Sequence, residues 1–262
     1  MPRAILKTNI SFGLVNIPVK VYTATEERAI AFKLLCGKCK TPLKYKRWCE
    51  KCKREVPWEE VIRGYEIAKN KYIPISEEEL ATIKLETTHR IEIIKFVDLT
   101  DIDPIYMAKS YYLVPDKGAE RAYSLFKEVL QLTGKVAIGR VVMRDKEHLV
   151  LIRPYKKGLV MTDLHYASEV RDINSLEELK KLVHLKEAEI KLAQALVAKL
   201  SGKSLKLEEF KDRYKEAVEK LVEEKAAGME IKAEKPEKIK PTQDLLQALK
   251  ASIEIKGKKK KK

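Results

Sequence analysis

Short runs of apolar and β-branched residues fill residues 1–25, and Gly13, Asn16 and Pro18 interrupt them. This pattern predicts several short strands. Apolar and polar residues alternate again further along the chain, and this alternation predicts strands over residues 89–97, 136–143, 148–153 and 159–166. Because the last three strands follow one another with short connections, the sequence predicts an antiparallel sheet or barrel.

Two segments between the predicted strands have the sequence features of helices instead. Ser76 and Glu79 form the capping-box pattern that begins a helix, which we expect to reach about residue 86. A second helix is predicted over residues 118–132, and Gly134 supplies the left-handed residue that commonly follows a helix.

The character of the chain changes at Ser175, where apolar residues begin to recur every three or four positions. A capping-box pattern at Ser175 predicts one long helix over residues 175–200, and a second helix is expected over residues 207–226, ending at Gly228. Long helices that follow a β-rich region often form an arm. The alternative is that both helices lie against their own barrel.

These elements predict an α+β fold with three regions. Residues 1–174 form an antiparallel β-barrel core, residues 175–228 form a C-terminal helical arm for dimer contacts, and residues 229–262 form a flexible linker, a short helix and a lysine-rich tail. Residues 229–240 mix lysine, glutamate and proline, as flexible linkers do.

The last two segments have different candidate roles. Residues 243–254 fit an amphipathic helix with four apolar residues on one side, namely Leu245, Leu246, Leu249 and Ile253. This side is a candidate partner-binding surface, unless it packs on the protein's own core. The closing run of lysines repels itself, so we expect a tail that is disordered when free and condenses onto phosphates.

The chain has four cysteines, which form two Cys-x2-Cys pairs within residues 36–52: Cys36, Cys39, Cys49 and Cys52. Two such pairs on facing turns form the tetrahedral site of a structural zinc ion, so we predict one zinc per chain. Because all four ligands are thiolates, no coordination position remains open for catalysis. The alternatives are two reduced structural pairs or a site that has lost its metal. A redox role is not favoured, because one pair would suffice and no thioredoxin-like pattern surrounds the cysteines.

Composition adds a strong positive charge, because 54 basic residues outnumber 39 acidic residues and give a net charge of +15. This excess favours a polyanionic partner, with nucleic acid first and an anionic membrane surface second, whereas a merely soluble basic protein is the alternative. No run approaches the roughly 20 apolar residues of a membrane span, and no secretory signal is visible. Thiols clustered for metal also indicate the cytoplasm.

Catalytic motifs are not evident in the sequence. Residues 201–204 resemble the end of a phosphate-binding loop, but Val197 stands where that motif requires glycine. The histidines are scattered, and each fits a structural role better than a catalytic one: His89, His148, His165 and His184. We therefore expect no enzymatic activity.

Several segments resemble one family when they are taken in order. They are SFGLVNIPVKVY at residues 11–22, GYE at 64–66, IDPIY at 102–106, SYYL at 110–113, KVAIGR at 135–140, EVR at 169–171 and LLQALKAS at 245–252. Together they resemble prokaryotic Ku, the DNA-end-binding protein of non-homologous end joining. Arg63 replaces the lysine of the family's KGYE element. The resemblance covers roughly residues 3–252.

The resemblance implies a homodimer without catalytic activity, in which two barrels and their helical arms form a ring around the end of a DNA duplex. It also implies that the C-terminal segment recruits a DNA ligase and that the protein works on the nucleoid. The cysteines fall where the family builds the pillar and bridge over the DNA, and zinc there stiffens a segment too short to hold its own core. Many bacterial relatives lack these cysteines, so the zinc prediction comes from their spacing and not from the resemblance.

A repair factor that accepts any end should grip phosphate and sugar rather than base edges. The predicted channel wall therefore consists of basic residues in the cysteine segment and on or beside the strands: Lys44, Lys46, Arg47, Lys95, Lys109, Arg140 and Arg144. The tail adds nonspecific DNA affinity through Lys258, Lys259, Lys260, Lys261 and Lys262. Arg140 and Arg144 are four residues apart, so on an extended strand both point to one face. For any single cation the alternative is a solvated surface charge.

Two other functions fit parts of the sequence. The cysteine pairs and the lysine tail alone would suit a zinc-containing, basic RNA- or ribosome-binding protein. An enzyme such as a nuclease, with a site that the motifs do not reveal, is the third possibility.

Overall fold

The computed structural model describes residues 3–26, 28–82, 90–143, 146–202 and 204–228. The described chain divides into two compact units, with the boundary between Arg171 and Asp172. The first unit contains a closed barrel, and the second is helical. Within these described ranges no helix combines the length and the apolar character needed to cross a membrane.

The first unit begins with a hairpin, leaves the barrel for a long excursion and then returns. The hairpin consists of β1 (Leu6–Phe12) and β2 (Val15–Thr23). The excursion contains β3 (Trp48–Cys49), β4 (Arg54–Glu55), β5 (Arg63–Ala68), β6 (Lys71–Ile75) and helix α1 (Glu77–Ala81). The returning chain forms β7 (Arg90–Asp98), β8 (Met107–Pro115), helix α2 (Glu120–Thr133), β9 (Lys135–Met143), β10 (Lys146–Tyr155) and β11 (Gly158–Leu164).

The barrel has the strand order β1-β2-β8-β11-β10-β9-β7, and β7 closes it against β1. The closing pair is parallel, with Asn9 opposite Arg90 and Ser11 opposite Glu92, whereas the other neighbours are antiparallel. The prediction of a purely antiparallel barrel is therefore wrong. Strand directions cannot alternate all the way around a closed ring of seven, because seven is odd. The long excursion allows β7 to return in the same direction as β1.

Alternating burial explains why these segments form strands. On β2, Ile17, Val19 and Val21 are buried, whereas the residues between them are more exposed. Their side chains join those of Ile10 and Val150 in one apolar cluster inside the barrel. Burying each of these aliphatic side chains contributes roughly 1.5–3 kcal/mol, so the inward positions dominate the stability of the barrel.

Helix α2 covers one end of the barrel. Its buried face consists of Tyr123, Phe126 and Leu130, which recur at helical spacing. The ring of Phe126 stacks on Phe12 at the end of β1, with 5.2 Å between the ring centroids. The helix ends at Gly134 with φ of 67°, so the predicted left-handed C-terminal glycine is confirmed.

Tyr123 also ties α2 to two strands. Its hydroxyl donates to the carbonyl oxygen of Leu113 on β8 at 2.6 Å and accepts from the amide of Leu159 on β11 at 2.8 Å. Leu113 and Leu159 lie opposite each other, so the hydroxyl bridges the ladder at that pair. Burial raises the pKa of Tyr123, which keeps the hydroxyl available as a donor.

The excursion ends in the predicted capping box. The Ser76 hydroxyl accepts from the amide of Glu79 at 3.1 Å, and the Glu79 carboxylate accepts from the amide of Ser76 at 2.8 Å. This reciprocal pair confirms where α1 begins. The predicted end near residue 86 is wrong, because α1 ends at Ala81 and the Thr82 hydroxyl donates to the carbonyl of Glu79 at 2.7 Å at its C-terminus.

The second unit contains α3 (Glu187–Leu200) and α4 (Arg213–Ala226). The prediction of one helix over residues 175–200 is wrong, because short 3-10 turns precede α3 and Ser175 does not cap a helix. The Ser175 hydroxyl instead donates to the carbonyl of Asp172 at 2.6 Å. Helix α3 begins after Lys186, whose amide donates to Glu189 at 2.9 Å.

Helix α4 begins later than the predicted residue 207. The side chain of Asp212 accepts from the amide of Lys215 at 3.0 Å and so fixes the first turn. Gly228, with φ of 76°, follows the helix as predicted.

Several predictions lie outside the described residues. They concern His89, Arg144, the linker over residues 229–240, the helix over residues 243–254 with Leu245, Leu246, Leu249 and Ile253, and the lysines at residues 258–262.

Candidate functional site

The first cysteine pair lies on a tight hairpin. The amide of Cys36 donates to the carbonyl of Thr41 at 2.9 Å, and the amide of Lys40 donates back to the carbonyl of Cys36 at 2.8 Å. An isolated antiparallel bridge between Leu35 and Pro42 closes the base of the turn. Lys40, the residue after Cys39, has φ of 58°.

The second cysteine pair repeats this geometry. Strands β3 and β4 pair Cys49 with Arg54, five residues on, as Cys36 faces Thr41 in the first hairpin. Lys53, the residue after Cys52, has φ of 49°. The two segments therefore form equivalent turns, each with a left-handed lysine directly after its second cysteine. Such a conformation is disfavoured for lysine, so the turn and not the residue type sets it.

Hydrogen bonds lower the pKa of one thiol in each turn. A hydrogen bond with the Thr41 side chain, with smaller help from the Thr41 backbone and from Cys36, lowers the pKa of Cys39 to about 7. The amide of Cys52 donates to the sulfur of Cys49 at 3.4 Å and is the largest cause of the lowered pKa of Cys49. The thiolate form, which binds metal, is therefore favoured at Cys39 and Cys49, whereas the hydrogen bond with Cys49 and its charge raise the pKa of Cys52.

The two pairs are not gathered into one cluster. Across the described ranges, which include all four cysteines, no group of three or more Cys, His, Asp or Glu side chains lies close enough to hold a metal ion. The thiols contact each other within each pair, Cys36 with Cys39 and Cys49 with Cys52. The four-thiolate zinc site stays a prediction.

Two of the three predicted DNA-binding cations near the cysteines take part in the second hairpin. The ammonium of Lys46 lies 2.8 Å from the carboxylate of Glu55. The guanidinium of Arg47 donates to the carbonyl of Val56 at 3.2 Å and lies 5.3 Å from the ring centroid of Trp58. Both side chains stabilise the turn in this structure, whereas Lys44 is exposed beside it.

Lys95 and Arg140 share the outer face of the barrel. Lys95 on β7 is opposite Ile138 on β9, and Arg140 is two residues further along β9. Residues two apart on a strand point to the same side, so both cations lie on the side opposite the buried Ala137. The Arg140 guanidinium forms an ion pair with Glu147 at 4.0 Å, and about half of its side chain is exposed.

Lys109 lies elsewhere, at the end of the barrel that α2 does not cover. It lines a cavity of about 490 Å³ with Tyr111, His148 and Lys146. The structure therefore separates Lys109 from the pair Lys95 and Arg140, although all three are predicted DNA-binding residues.

The sequence interpretation missed a buried carboxylate beside this cavity. Asp163 is 8% exposed, accepts from the Tyr111 hydroxyl at 3.4 Å and lies 3.6 Å from His148. Burial raises the pKa of Asp163, and the nearby His148 opposes that rise. Within the described part of the chain the second carboxylate oxygen has no hydrogen-bond partner. The available signal was the alternation on β11, which places this aspartate at an inward position.

Comparison with known proteins gives one consistent result. The chain matches the family described as the Ku70/Ku80 beta-barrel domain over residues 11–192. It is 44% identical over 252 residues to the non-homologous end joining protein Ku of Archaeoglobus fulgidus, covering 96% of this chain and 98% of that protein. It is also 36% identical over 252 residues to the protein of the same name from Bacillus subtilis, covering 95% of this chain and 80% of that protein. The chain belongs to the Ku family.

Proposed function

We propose that the protein binds the ends of double-stranded DNA in non-homologous end joining, without reading their sequence and without catalysing a reaction. The observation that carries this proposal is the match, over almost the whole chain, to relatives named for that pathway. The net charge of +15 supports a polyanionic ligand.

In this proposal the protein binds DNA through electrostatic contacts with the phosphates. Lysine and arginine bind phosphates by releasing counterions, and such contacts carry no sequence information. Lys95 and Arg140 support this role because they share one exposed barrel face. Lys44 and the lysines at residues 258–262 add further positive charge.

Two copies of the chain form a closed ring in this proposal. The second unit supports it, because its described segments expose many large apolar side chains that a second copy would cover. The most exposed include Leu182, Val183, Leu205, Leu207, Phe210 and Tyr214, each at least 70% exposed. Patches of this kind are typical of interfaces between subunits.

The proposed ring also binds a DNA ligase and a zinc ion. The residues proposed for the ligase are Leu245, Leu246, Leu249 and Ile253. The residues proposed for zinc are Cys36, Cys39, Cys49 and Cys52, and the equivalent geometry of their two turns supports this assignment. Zinc supplies a structural cross-link there, and all four thiolates are needed to hold it.

A comparison of linear and circular DNA tests the proposed function. One plasmid is used either relaxed and closed or cut once, so that sequence and length are identical. A ring that loads at an end should retain the cut plasmid and release the closed circle, and the logarithm of its affinity should fall linearly with the logarithm of the salt concentration.

Equal retention of the closed circle at every salt concentration would contradict end binding. Structured RNA is included as a competitor, and displacement of the cut plasmid by RNA at equal mass would favour an RNA-binding protein instead. Labelled ends incubated with magnesium or manganese should stay intact, because the proposal includes no nuclease activity.

A further inference from the structure

Three tyrosines lie on the outer face of the barrel. Tyr22 on β2 and Tyr112 on β8 are directly opposite each other, and Tyr155 is the last residue of β10. The residues next to the first two, Val21 and Leu113, point into the barrel core, so the tyrosines point outward. Strand β11 separates β8 from β10, which places the three rings side by side across the sheet.

The rings of Tyr112 and Tyr155 are nearly parallel and stack on each other. Their ring centroids are 6.3 Å apart and their planes differ by only 19°. Tyr112 is 40% exposed and Tyr155 is 37% exposed, so both rings leave part of their area open to a ligand.

Cations surround these rings. The guanidinium of Arg153 and the ammonium of Lys156 each lie 5.4 Å from the ring centroid of Tyr155. Lys157 follows in the same turn. Among the described residues, no carboxylate lies within 4.0 Å of any of these three cations. Their charge is therefore available to an anion.

The turn itself has a disfavoured backbone. Lys156 has φ of 47° in the two-residue connection between β10 and β11, a position that favours glycine or asparagine. The turn sets this conformation, as it does for Lys40 and Lys53, and it holds the Lys156 ammonium beside the Tyr155 ring.

A depression of about 920 Å³ connects these groups. Tyr22, Tyr112, Tyr155, Lys156 and Lys157 all line it. Among the residues that line it, all of them in the described ranges, one carboxylate occurs, that of Glu120 at its rim. The depression is therefore aromatic on its floor and positive on one side.

We propose that this surface binds single-stranded DNA, with unpaired bases stacked on Tyr112 and Tyr155 and their phosphates held by Arg153, Lys156 and Lys157. We call these five residues the tyrosine platform. Aromatic rings beside cations are the common means of binding single strands, and stacking tolerates any base because every base has a π face. The inference deepens the proposed function, because the natural source of a single strand is the overhang of a DNA end.

The platform suits a single strand better than a duplex. Within a duplex the faces of paired bases are covered by their neighbours and only the terminal pair exposes one face, whereas every base of a single strand can stack on a tyrosine. A duplex would use mainly the cations. The platform thus adds stacking contacts for overhangs beyond the one face that a blunt end exposes.

The test measures binding of the full chain to a fluorescein-labelled oligothymidylate of about 12 nucleotides by anisotropy. The double variant Tyr112→Leu/Tyr155→Leu keeps apolar side chains but removes the rings, and it should bind about tenfold more weakly. The double variant Tyr112→Phe/Tyr155→Phe keeps the rings and should bind like the wild type. Tyr72→Leu is the matched control, because Tyr72 is 59% exposed on β6 and lies outside the platform, and it should change nothing.

Blunt duplex DNA separates this inference from the proposed function. The leucine variant should bind blunt ends almost as the wild type does, since a blunt end exposes only the one face of its terminal base pair. Unchanged oligothymidylate binding by the leucine variant, or an equal loss in the phenylalanine variant, would overturn the platform. If the wild type does not bind duplex ends, but the leucine variant still binds oligothymidylate more weakly than the phenylalanine variant, only the proposed function is overturned.

An acidic peptide is the competing occupant. Polyglutamate should displace the oligothymidylate from the wild type only weakly, because it cannot stack on the rings. If the leucine substitutions weaken polyglutamate binding as much as oligothymidylate binding, the platform is a peptide site and the inference fails.

Discussion

The barrel and the excursion that interrupts it are stabilised in different ways. In the barrel, Ile10, Val21, Ile91 and Val150 are fully buried in a common core. In the excursion, not one residue of 24–26 or 28–80 is buried. The barrel contains its own source of stability, whereas the excursion has hairpins without a core.

Polar contacts do not replace the missing apolar core of the excursion. Its ion pairs, such as Lys46 with Glu55 and the bidentate pair Arg54 with Glu60, join exposed side chains, and such pairs contribute only about 0–1 kcal/mol each. Isolated two-stranded hairpins are marginal in water. The excursion therefore lacks a stabilising core of its own, and we propose that bound metal and bound DNA stabilise it.

Removal of zinc should produce the largest difference between the two regions. Structural zinc sites contribute about 10 kcal/mol or more to local folding, so a chelator should open both cysteine hairpins while the barrel stays folded. Elemental analysis should find about one zinc per chain before treatment. Hydrogen exchange measured by mass spectrometry should then become fast over residues 34–56 and remain slow in β9 and β10.

Matched variants identify the cause of this opening. Cys36→Ser/Cys49→Ser removes one thiol from each turn and should reproduce the effect of the chelator. Lys38→Ser/Lys51→Ser changes the same two turns without removing a thiol and should behave like the wild type. Metal-free protein with unchanged exchange in the hairpins would contradict the proposed zinc site.

The sequence predicts elements whose causes are local. Ser76 and Glu79 lie three residues apart and form their capping box without help from the rest of the chain. Gly134 ends α2 for a similarly local reason, namely that glycine tolerates the left-handed conformation. The Cys-x2-Cys turns belong to the same class, because each closes through hydrogen bonds within a few residues.

Features that depend on distant pairing were missed. The parallel contact of β1 with β7 joins segments about 80 residues apart, and nothing local to either strand specifies it. Tyr112 and Tyr155 likewise come together only through the register of three strands. The prediction of one helix over residues 175–200 was wrong for another reason. The leucine spacing that fits a helix also fits the short 3-10 turns found there.

Gly139→Ala should destabilise the barrel. A Cβ at Gly139 would lie 2.5 Å from the carbonyl oxygen of Glu92, and this neighbour is backbone within β7. We expect a loss of about 3 kcal/mol in the free energy of unfolding, because the strands must separate to admit the methyl group. Urea denaturation followed by circular dichroism measures this loss.

Gly202→Ala is the control for that substitution. Its nearest neighbour would be the carbonyl oxygen of Ser204 at 3.9 Å, an ordinary contact, so stability should barely change. If the Gly139→Ala protein is as stable as the wild type, β7 can move to admit the methyl group. The strand pairs that close the barrel would then be less rigid than the buried core suggests.

Tyr123→Phe should have a smaller effect, confined to the end of the barrel that α2 covers. The substitution keeps the ring but removes the hydroxyl that joins Leu113 and Leu159. Because both backbone groups are buried at that pair, losing their shared partner should cost about 2 kcal/mol. Tyr72→Phe, at an exposed position on β6, should cost nothing measurable. If hydrogen exchange speeds up in α2 and β11 but not in the cysteine hairpins, the barrel and the excursion respond independently, as their separate means of stabilisation require.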